Sequence, residues 1–280
     1  MDHFDTLADV YPEVRDYMLD HADEVDVGEW HAMDVRGNSA LVSHEWRNAL
    51  WCAPMPASMS QLQAELRPNL PWAEDHFQER VSGKPLNPPP SEAWWPFAMA
   101  GNSVHKDGEK FSHTYPERYW PRNAGPYNQG IRFRYGDVND LIALMLRNPE
   151  TRQAFLPVWF PEDLAAAAQY KQRVPCTLGY HLLQRHGKLH MTYMIRSCDL
   201  RRHFVDDVYL SIRLAQWLLD RLSDHEVWRH AVMGDFTFHC MSLHFFEGDR
   251  RALTAESNED PSTEAILNEL DKDEVEGGAV

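Results

Sequence analysis

The 280-residue chain lacks a long apolar run: no stretch of 18 consecutive apolar residues occurs, so we expect no transmembrane helix. It also lacks a basic and then apolar leader, because it starts Met-Asp-His-Phe-Asp, and we expect no signal peptide. Only four cysteines are present, without a CxxC pair. Their number and spacing exclude a disulfide scaffold and a cysteine metal site, and they favour a reducing, cytoplasmic compartment.

Positive charge is also scarce, since 27 basic residues stand against 43 acidic ones and give a formal charge of -16. The acidic excess lies at the two ends: residues 1–26 and 256–280 each carry nine acids and one base. The body over 27–255 holds 25 acids and 25 bases and is neutral. This balance argues against binding to a nucleic-acid polymer or an anionic membrane, and it is compatible with a local basic pocket for one phosphate.

The composition predicts one globular domain between two acidic segments. Hydrophobic residues make up 43% of the chain, including ten Trp, ten Tyr and twelve Phe, which is enough for a substantial core. We place a single catalytic domain over 27–255. In residues 1–26, Val10, Val14 and Met18 have helical spacing and predict a surface helix, and the segment 256–280 predicts a mobile acidic tail.

Helices and strands are mixed along the domain. Alternating residues predict strands over 40–54, 154–160 and 236–246, and helical spacing predicts helices over 61–81, 138–146 and from Pro161. The clearest pattern is a β-hairpin, with strands over 177–184 and 189–197. We expect Asp206 and Asp207 to cap the helix that follows. Because these elements do not alternate regularly as βαβ units, the sequence predicts an α+β fold.

Two motifs point to chemistry. Cys176 stands at the start of the hairpin's first strand, and Arg196-Ser197-Cys198-Asp199 stands at the end of its second. A cysteine near arginines can have a lowered pKa and act as a nucleophile, and an Arg-Ser pair offers donors suited to phosphate. The hairpin brings Arg196 close to Cys176. The alternative interpretation is a buried, inert thiol beside a solvated arginine.

These residues carry a family resemblance. Pro175-Cys176, the hairpin, Arg196-Ser197-Cys198-Asp199 and the helix near Asp207 resemble the core of thymidylate synthase. The resemblance runs without a gap to about Gln216, reaches His244 through residues 234–236, and extends back through Arg152 and Trp159. It implies a thymidylate synthase-like mixed sheet with flanking helices, packed across a homodimer. It further implies a pyrimidine nucleoside monophosphate as substrate and 5,10-methylenetetrahydrofolate as one-carbon donor.

The resemblance assigns roles at the nucleotide end of the site. Cys176 would be the thiolate that adds to carbon 6 of the pyrimidine and makes carbon 5 nucleophilic. Arg196 and Ser197 would hold the 5′-phosphate. Arg152 would reach that phosphate from the partner subunit, and Arg36 would be the arginine of a mobile phosphate loop. A second arginine of the family pattern is Gln153 in this chain, so one phosphate contact is lost.

The remaining roles concern the sugar, the proton network and the folate. The resemblance implies His244 at the sugar hydroxyl, Tyr135 in the proton-transfer network, Trp120 and Asp199 on the folate side, and Glu74 as the catalytic glutamate. Glu79 is the alternative to Glu74. The tyrosine that usually accompanies the sugar histidine is Phe246 here. Trp120 as a core residue and Glu74 on a solvated helix face are the competing interpretations.

Asp207 stands where thymidylate synthase carries an asparagine that pairs with uracil. A carboxylate accepts from the exocyclic amine of cytosine, and a protonated carboxyl can also donate to ring nitrogen 3. Against uracil, a carboxylate would face the carbonyl at carbon 4, which is costly when buried. The residue after the nucleophile is Thr177 where the family has histidine. Both departures resemble the phage deoxycytidylate hydroxymethylases, although Asp207 could merely cap its helix.

The sequence therefore predicts a homodimeric, folate-dependent 5-hydroxymethylase of dCMP or CMP, in the cytoplasm of a host if a phage encodes it. A dUMP hydroxymethylase or a true thymidylate synthase is the first alternative. A non-catalytic nucleotide-binding or host-interaction protein on the same scaffold is the second.

Overall fold

A mixed β-sheet organises the chain in the computed structural model, which describes residues 2–30, 33–97, 106–107, 109–124, 136–170 and 173–258. The strands are β1 Asp2–His3, β2 Asp23–Val25, β3 Glu29–Trp30, β4 Met33–Asp34, β5 Ser43–Pro54, β6 Lys106–Asp107, β7 Lys110–Phe111, β8 Phe155–Pro157, β9 Thr177–Arg185, β10 Lys188–Ile195, β11 Cys198–Asp199 and β12 Val232–Phe246. The helices are α1 Val10–His21, α2 Met59–Leu66, α3 Trp72–Val81, α4 Tyr115–Tyr119, α5 Val138–Arg147, α6 Pro161–Tyr170, α7 Phe204–Ser223 and α8 Arg250–Asn258.

The main sheet has the strand order β1-β5-β12-β10-β9-β8, with β2 beside β5 and β11 beside β12. Strands β10 and β12 are parallel, whereas β12 runs antiparallel to β5 and β9 runs antiparallel to β10. Parallel and antiparallel pairs in one sheet, with helices packed on it, confirm the α+β prediction.

The predicted hairpin is confirmed as β9 and β10. His186 and Gly187 connect the strands with φ angles of 52° and 75°, as in the type I′ turn that matches the twist of two antiparallel strands. At the other end of the hairpin, the Arg196 N–H donates to the Cys176 carbonyl at 2.9 Å. The two motifs of the sequence therefore meet where the hairpin strands start and end.

Helix α7 covers the sheet over β10 and β12 and also contacts α3. Its apolar side is buried at Val208, Ile212 and Ala215, as the helical spacing predicts. The capping prediction was wrong: His203 is the N-cap residue and no side chain forms a cap hydrogen bond. Asp206 and Asp207 instead lie in the first turn, where their carboxyls are available to other groups.

Other boundaries also differ from the predictions. The predicted strand over 154–160 is regular only over Phe155–Pro157, because the Asp163 carboxylate accepts from the Phe160 N–H at 2.7 Å and turns the chain into α6. In contrast, the breaks predicted at Pro68 and Pro71 in the helix over 61–81 are confirmed, because α2 and α3 are separate helices with both prolines between them. Residue 255, predicted as the end of the domain, lies inside α8.

Both acidic segments contribute to the described fold. Helix α1 buries Val10, Val14 and Met18 in the core. The Tyr11 hydroxyl donates to the Glu256 carboxylate of α8 at 2.9 Å, so α1 and α8 lie together. The predicted tail lies beyond residue 258, outside the described residues.

The second face of the sheet is less covered in the single chain. Tyr180, Leu182 and Tyr193 point to the helix-covered side and are at most 1% exposed, whereas their neighbours His181 and Leu183 are only partly buried. No helix among the described residues is long and apolar enough to cross a membrane.

Candidate active site

Cys176 differs from the other cysteines in its exposure. All four cysteines lie in described residues and all are free thiols, but Cys52, Cys198 and Cys240 are buried and Cys176 is only partly buried. Burial raises the pKa of the Cys198 and Cys240 thiols, which keeps them protonated and unreactive. Cys176 is therefore the thiol best placed to meet a substrate.

Arg196 is fixed beside Cys176 by backbone contacts. Its guanidinium donates to the carbonyls of Pro175 and Val174 at 3.0 and 3.2 Å, and it lies 5.8 Å from the centre of the Trp159 ring. These neutral partners leave its charge uncompensated and oriented beside the thiol. Ser197 follows it directly, between β10 and β11. The Arg-Ser pair predicted from the sequence thus lies at the cysteine.

Arg173 is a second cation at this place. Burial and the neighbouring charge of Arg196 lower its pKa, while Cys176 and Tyr115 act in the opposite direction. The signal in the sequence was the short spacing of Arg173-Val174-Pro175-Cys176.

Thr177, the residue after Cys176, joins two tyrosines. Its hydroxyl lies 3.1 Å from the Tyr115 hydroxyl and 2.8 Å from the Tyr193 hydroxyl. Tyr115 begins α4, so this helix brings a phenol to the nucleophile's neighbour. Burial raises the pKa of Tyr115, which keeps its proton in place. The sequence reasoning overlooked Tyr115 and chose Tyr135, which lies outside the described residues.

Asp207 and Asp206 are adjacent acids with different surroundings. Asp206 is 3% exposed and accepts from the Asn69 N–H at 3.0 Å and from its side-chain amide at 2.7 Å. Among the described residues, the Asp207 carboxyl receives only a weak contact, from the Cys198 thiol at 3.7 Å. Burial raises the pKa of Asp207 to about 7, with Arg80 lowering it and Asp206 raising it. Its carboxyl therefore exchanges a proton near neutral pH and is free to bind a ligand.

The fold of the chain is similar to that of known proteins. No family model matches the chain. It is 25% identical over 150 residues to the protein named "Putative thymidylate synthase" of Methanocaldococcus jannaschii, a match that covers 50% of this chain and 64% of that protein, less than two thirds of its length. The solved structure of thermostable thymidylate synthase A from Bacillus subtilis superposes with a TM-score of 0.64 at 13% identity, over 91% of this chain and 85% of that chain. The chain has the thymidylate synthase fold. The two matches support a thymidylate synthase-like family.

Within this thymidylate synthase fold, the two candidate glutamates on α3 are both engaged. Glu74 forms a two-bond pair with Arg213 of α7, each bond 2.9 Å long, and accepts from the Tyr209 hydroxyl at 2.7 Å. Although burial acts in the opposite direction, these bonds lower the pKa of Glu74. Glu79 accepts from the Ser91 N–H and hydroxyl. Neither carboxylate has a recorded contact with Cys176, and the choice between them stays a prediction.

Three further predicted residues also have structural partners. Trp120 is 6% exposed and its indole N–H donates to the Arg80 carbonyl at 2.8 Å, as a core residue would. The Asp199 carboxylate accepts from the N–H groups of Arg201 and Arg202 at 3.0 Å each. His244 pairs with Asp199 across β11 and β12, and burial lowers its pKa. Their roles toward folate and sugar stay predictions.

Two predicted phosphate residues lie at the surface of the single chain. Arg152 is exposed, just before β8. Arg36 is exposed and pairs with Asp34 at 2.5 Å. Neither has a recorded contact with Cys176 or Arg196 within the described part of the chain.

An aromatic row beside Asp199 was not predicted. Trp72 stacks on His76 with ring centres 5.1 Å apart, and Trp95 stacks on His203 at 5.3 Å. The two tryptophans lie 6.2 Å apart. Both indole N–H groups are buried, and neither has a hydrogen-bond partner among the described residues. This row offers flat surfaces and two free donors to a planar ring.

Proposed function

We propose that this protein transfers a one-carbon unit to carbon 5 of a pyrimidine nucleoside monophosphate, and that it makes the 5-hydroxymethyl derivative of dCMP or CMP. The thymidylate synthase fold supports the general reaction. The observation that carries the choice of cytosine is Asp207, an acid with a pKa of about 7 and few partners, at the position that resembles the uracil-reading asparagine.

Covalent catalysis in this proposal starts at Cys176. Its thiolate adds to carbon 6, so that electron density moves to carbon 5 and makes that atom the nucleophile. Arg196 with Ser197 holds the 5′-phosphate. Tyr115 and Thr177 hold a proton beside the reacting ring, because their hydroxyls are 3.1 Å apart and Thr177 directly follows Cys176 in the sequence.

Asp207 reads the edge of the base. Near its pKa, the carboxyl is part protonated. The protonated form donates to nitrogen 3 of cytosine while its second oxygen accepts from the amine at carbon 4. Uracil instead presents an N–H at nitrogen 3 and a carbonyl at carbon 4. One oxygen of the ionised carboxylate would then face that carbonyl oxygen, and the two oxygens repel each other. The preference for cytosine follows from this complementarity.

The one-carbon donor in this proposal is 5,10-methylenetetrahydrofolate. Trp72, Trp95 and His203 fit its planar pterin, because two buried indole N–H groups lack a partner in the described residues and the stacked rings offer flat apolar faces. When bound, the folate supplies a carbon at the oxidation level of formaldehyde. Addition of water to the nucleotide then gives the hydroxymethyl group with no further reductant.

A homodimer completes the site in this proposal. The sheet face at His181 and Leu183 is only partly buried in one chain, as expected for a surface that a second copy covers. Arg152 is exposed at the edge of this sheet. From a partner it would add a cation to the phosphate site, where Gln153 provides none.

The test is mass spectrometry of nucleotide products after incubation with the folate and a panel of CMP, dCMP and dUMP. We expect a mass gain of one CH₂O unit on a cytidylate. Cys176→Ala should lose at least about 10³-fold in rate, because the covalent step is gone. Cys52→Ala, a buried thiol on β5, is the matched control and should keep activity. No product from any nucleotide, or full activity of Cys176→Ala, would refute the proposal.

A dUMP hydroxymethylase or thymidylate synthase is the second candidate, since the Methanocaldococcus jannaschii relative carries the thymidylate synthase name. Asp207→Asn separates the two. If Asp207 reads cytosine, the amide should shift the ratio of kcat/KM values for dCMP and dUMP toward dUMP by about 10- to 100-fold, the effect of one reversed buried hydrogen-bond pair. A wild-type preference for dUMP would favour the second candidate.

A further inference from the structure

A chain of hydrogen bonds joins three polar side chains, Glu79, Ser91 and His76, beside the aromatic row. The Ser91 hydroxyl donates to one Glu79 oxygen at 2.5 Å, and the Ser91 N–H donates to the other at 2.7 Å. The His76 Nδ1 atom lies 2.9 Å from the Ser91 oxygen and 3.5 Å from the Glu79 carboxylate. Because Ser91 is fully buried, water does not compete for the bonds of this Glu79–Ser91–His76 relay.

The order of donors in the relay fixes which nitrogen of His76 carries the proton. The Glu79 carboxylate only accepts, and the Ser91 hydroxyl gives its one hydrogen to that carboxylate. The Ser91 oxygen therefore accepts from His76, so Nδ1 carries the hydrogen. Burial lowers the pKa of His76 to about 4, with Arg80 acting in the same direction and Glu79 in the opposite one, so the ring is neutral at pH 7. Nε2 then presents a lone pair, and it has no hydrogen-bond partner among the described residues.

The face of α3 that carries His76 is turned toward the residues around the nucleophile. Arg80 is one helical turn further along α3, on the same face as His76. Its guanidinium lies 4.0 Å from the centre of the Tyr115 ring. The Tyr115 hydroxyl in turn lies 3.1 Å from the hydroxyl of Thr177, which directly follows Cys176.

The ring of His76 also belongs to the aromatic row. Trp72 covers it with ring centres 5.1 Å apart and planes within 10° of each other, and Trp72 leads through Trp95 to His203. His203 is the N-cap residue of α7, and Asp207 lies in the first turn of that helix. In the proposed function the row holds the one-carbon donor and Asp207 reads the base, so His76 lies where donor and nucleotide meet.

We propose that His76 is the general base of the hydroxymethylation step, and that Glu79 acts through Ser91 as the positioning group that fixes its tautomer. The inference rests on the proposed function. In this step the oxygen of a water molecule bonds to the methylene carbon attached to carbon 5, and the water proton goes to His76 Nε2. The electron pair of the methylene double bond moves to form the double bond between carbons 5 and 6. The bond from carbon 6 to sulfur then breaks and returns its pair to Cys176 as the thiolate.

Glu79 is suited to the positioning role. Although burial acts in the opposite direction, its bonds with His76 and Ser91 lower its pKa, so the carboxylate is ionised when the imidazole takes up a proton. The carboxylate of a Ser-His-Asp triad has the same two tasks, to set the histidine tautomer and to stabilise the imidazolium. Glu79 therefore contributes to the reaction without touching the nucleotide.

Nitrogen-15 NMR of histidine-labelled protein tests the relay without nucleotide or folate. The signals of His76 are assigned by their loss in His76→Gln. We expect a neutral ring protonated at Nδ1 in the wild type at pH 7, and a population protonated at Nε2 in Ser91→Ala/Glu79→Met, which removes both partners of Nδ1. A wild-type ring protonated at Nε2, or an unchanged tautomer in the folded double variant, would overturn the proposal.

A trapping experiment separates the addition of water from the earlier steps. The protein is incubated with dCMP, 5,10-methylenetetrahydrofolate and 2-mercaptoethanol, whose thiolate adds to the methylene carbon without a base. We expect His76→Gln to lower the rate of hydroxymethyl formation by about 10²- to 10³-fold, the contribution of a general base, and to give the thioether at carbon 5 instead. Consumption of the folate should stay near the wild-type rate. The matched control is His225→Gln, an exposed histidine just after α7, and it should behave as wild type.

Wild-type hydroxymethyl formation by His76→Gln would overturn the proposal. Equal losses of hydroxymethyl product and thioether would also overturn it, because they indicate a purely structural role. If His76→Gln does not fold, Ser91→Ala keeps the imidazole and should shift the products in the same direction to a smaller extent; an unchanged product ratio would count against the relay. If the wild type modifies no nucleotide, the proposed function fails, whereas the NMR spectrum still decides whether Glu79 and Ser91 fix His76.

Discussion

Two adjacent acids in this site, Asp206 and Asp207, differ in their hydrogen-bond partners. Asp206 accepts from the backbone and side chain of Asn69, whereas the carboxyl of its neighbour Asp207 has only the Cys198 thiol as a donor in the part of the chain that the structure describes. Helical geometry explains the contrast, since successive side chains on a helix point about 100° apart. Asp206 holds the loop before α3, and the carboxyl of Asp207 is left for a ligand.

This difference predicts a pH dependence of stability. Burial raises the pKa of Asp207 from 3.8 to about 7, so between these values this carboxyl binds more protons in the folded protein than in the unfolded chain. The contribution of Asp207 to the free energy of unfolding should therefore fall as pH rises from 4 to 7, by up to about 1.4 kcal/mol per pH unit. Urea titrations of wild type and Asp207→Asn at several pH values measure this contribution of Asp207 to the free energy of unfolding. Equal slopes for the two proteins would contradict the assignment.

At the scale of elements, the Glu74–Arg213 pair connects α3 to α7. Both side chains are mostly buried, at 22% and 12% exposure, and Arg213 also lies 4.6 Å from the centre of the Phe77 ring. The pair fixes the helix that carries His76 against the helix that carries Asp207. The geometry of the proposed active site therefore depends on it.

Glu74→Gln should lower the free energy of unfolding at pH 7 by roughly 1 to 3 kcal/mol, because Arg213 loses its buried partner. The loss should shrink at acid pH: the pKa of Glu74 is lowered, so its contribution is present above the unfolded value of 4.5 and disappears as the carboxylate protonates. Urea unfolding at pH 7 and at pH 3 to 4 measures both effects.

Glu79→Gln is the matched variant, because Glu79 lies on the same helix and is the alternative catalytic glutamate. Comparing kcat for the two variants, where both are folded, identifies the catalytic carboxylate. A Glu74→Gln protein as stable as wild type would show that the α3–α7 pair contributes nothing.

At the scale of the whole molecule, the partly covered sheet face and the exposed Arg152 lead to a prediction about shared sites. Cys176→Ala and Arg152→Ala should each be nearly inactive as homodimers. After mixing, unfolding and refolding together, half of the dimers are mixed, and each of those holds one intact site. About a quarter of wild-type activity should return. Failure to recover activity, or a monomer by analytical ultracentrifugation, would argue against a shared site.

The accuracy of sequence reasoning differed along the chain for physical reasons. The hairpin and its motif were predictable because alternation and a His-Gly turn fix register locally. Tyr115 was missed because its relation to Cys176 depends on how α4 packs against β9, and no periodic pattern records that.

The sequence by itself determined the α+β class, the cysteine and Arg-Ser motifs at the ends of one hairpin, and the concentration of acidic charge at both ends. These properties follow from composition, periodicity and short spacings, which local physics translates directly into structure. Only the tertiary structure decided which thiol is accessible and which of two adjacent aspartates has few hydrogen-bond partners among the described residues. Burial and long-range electrostatics set these properties, and both depend on residues that meet only when α3, α4 and α7 pack on the sheet.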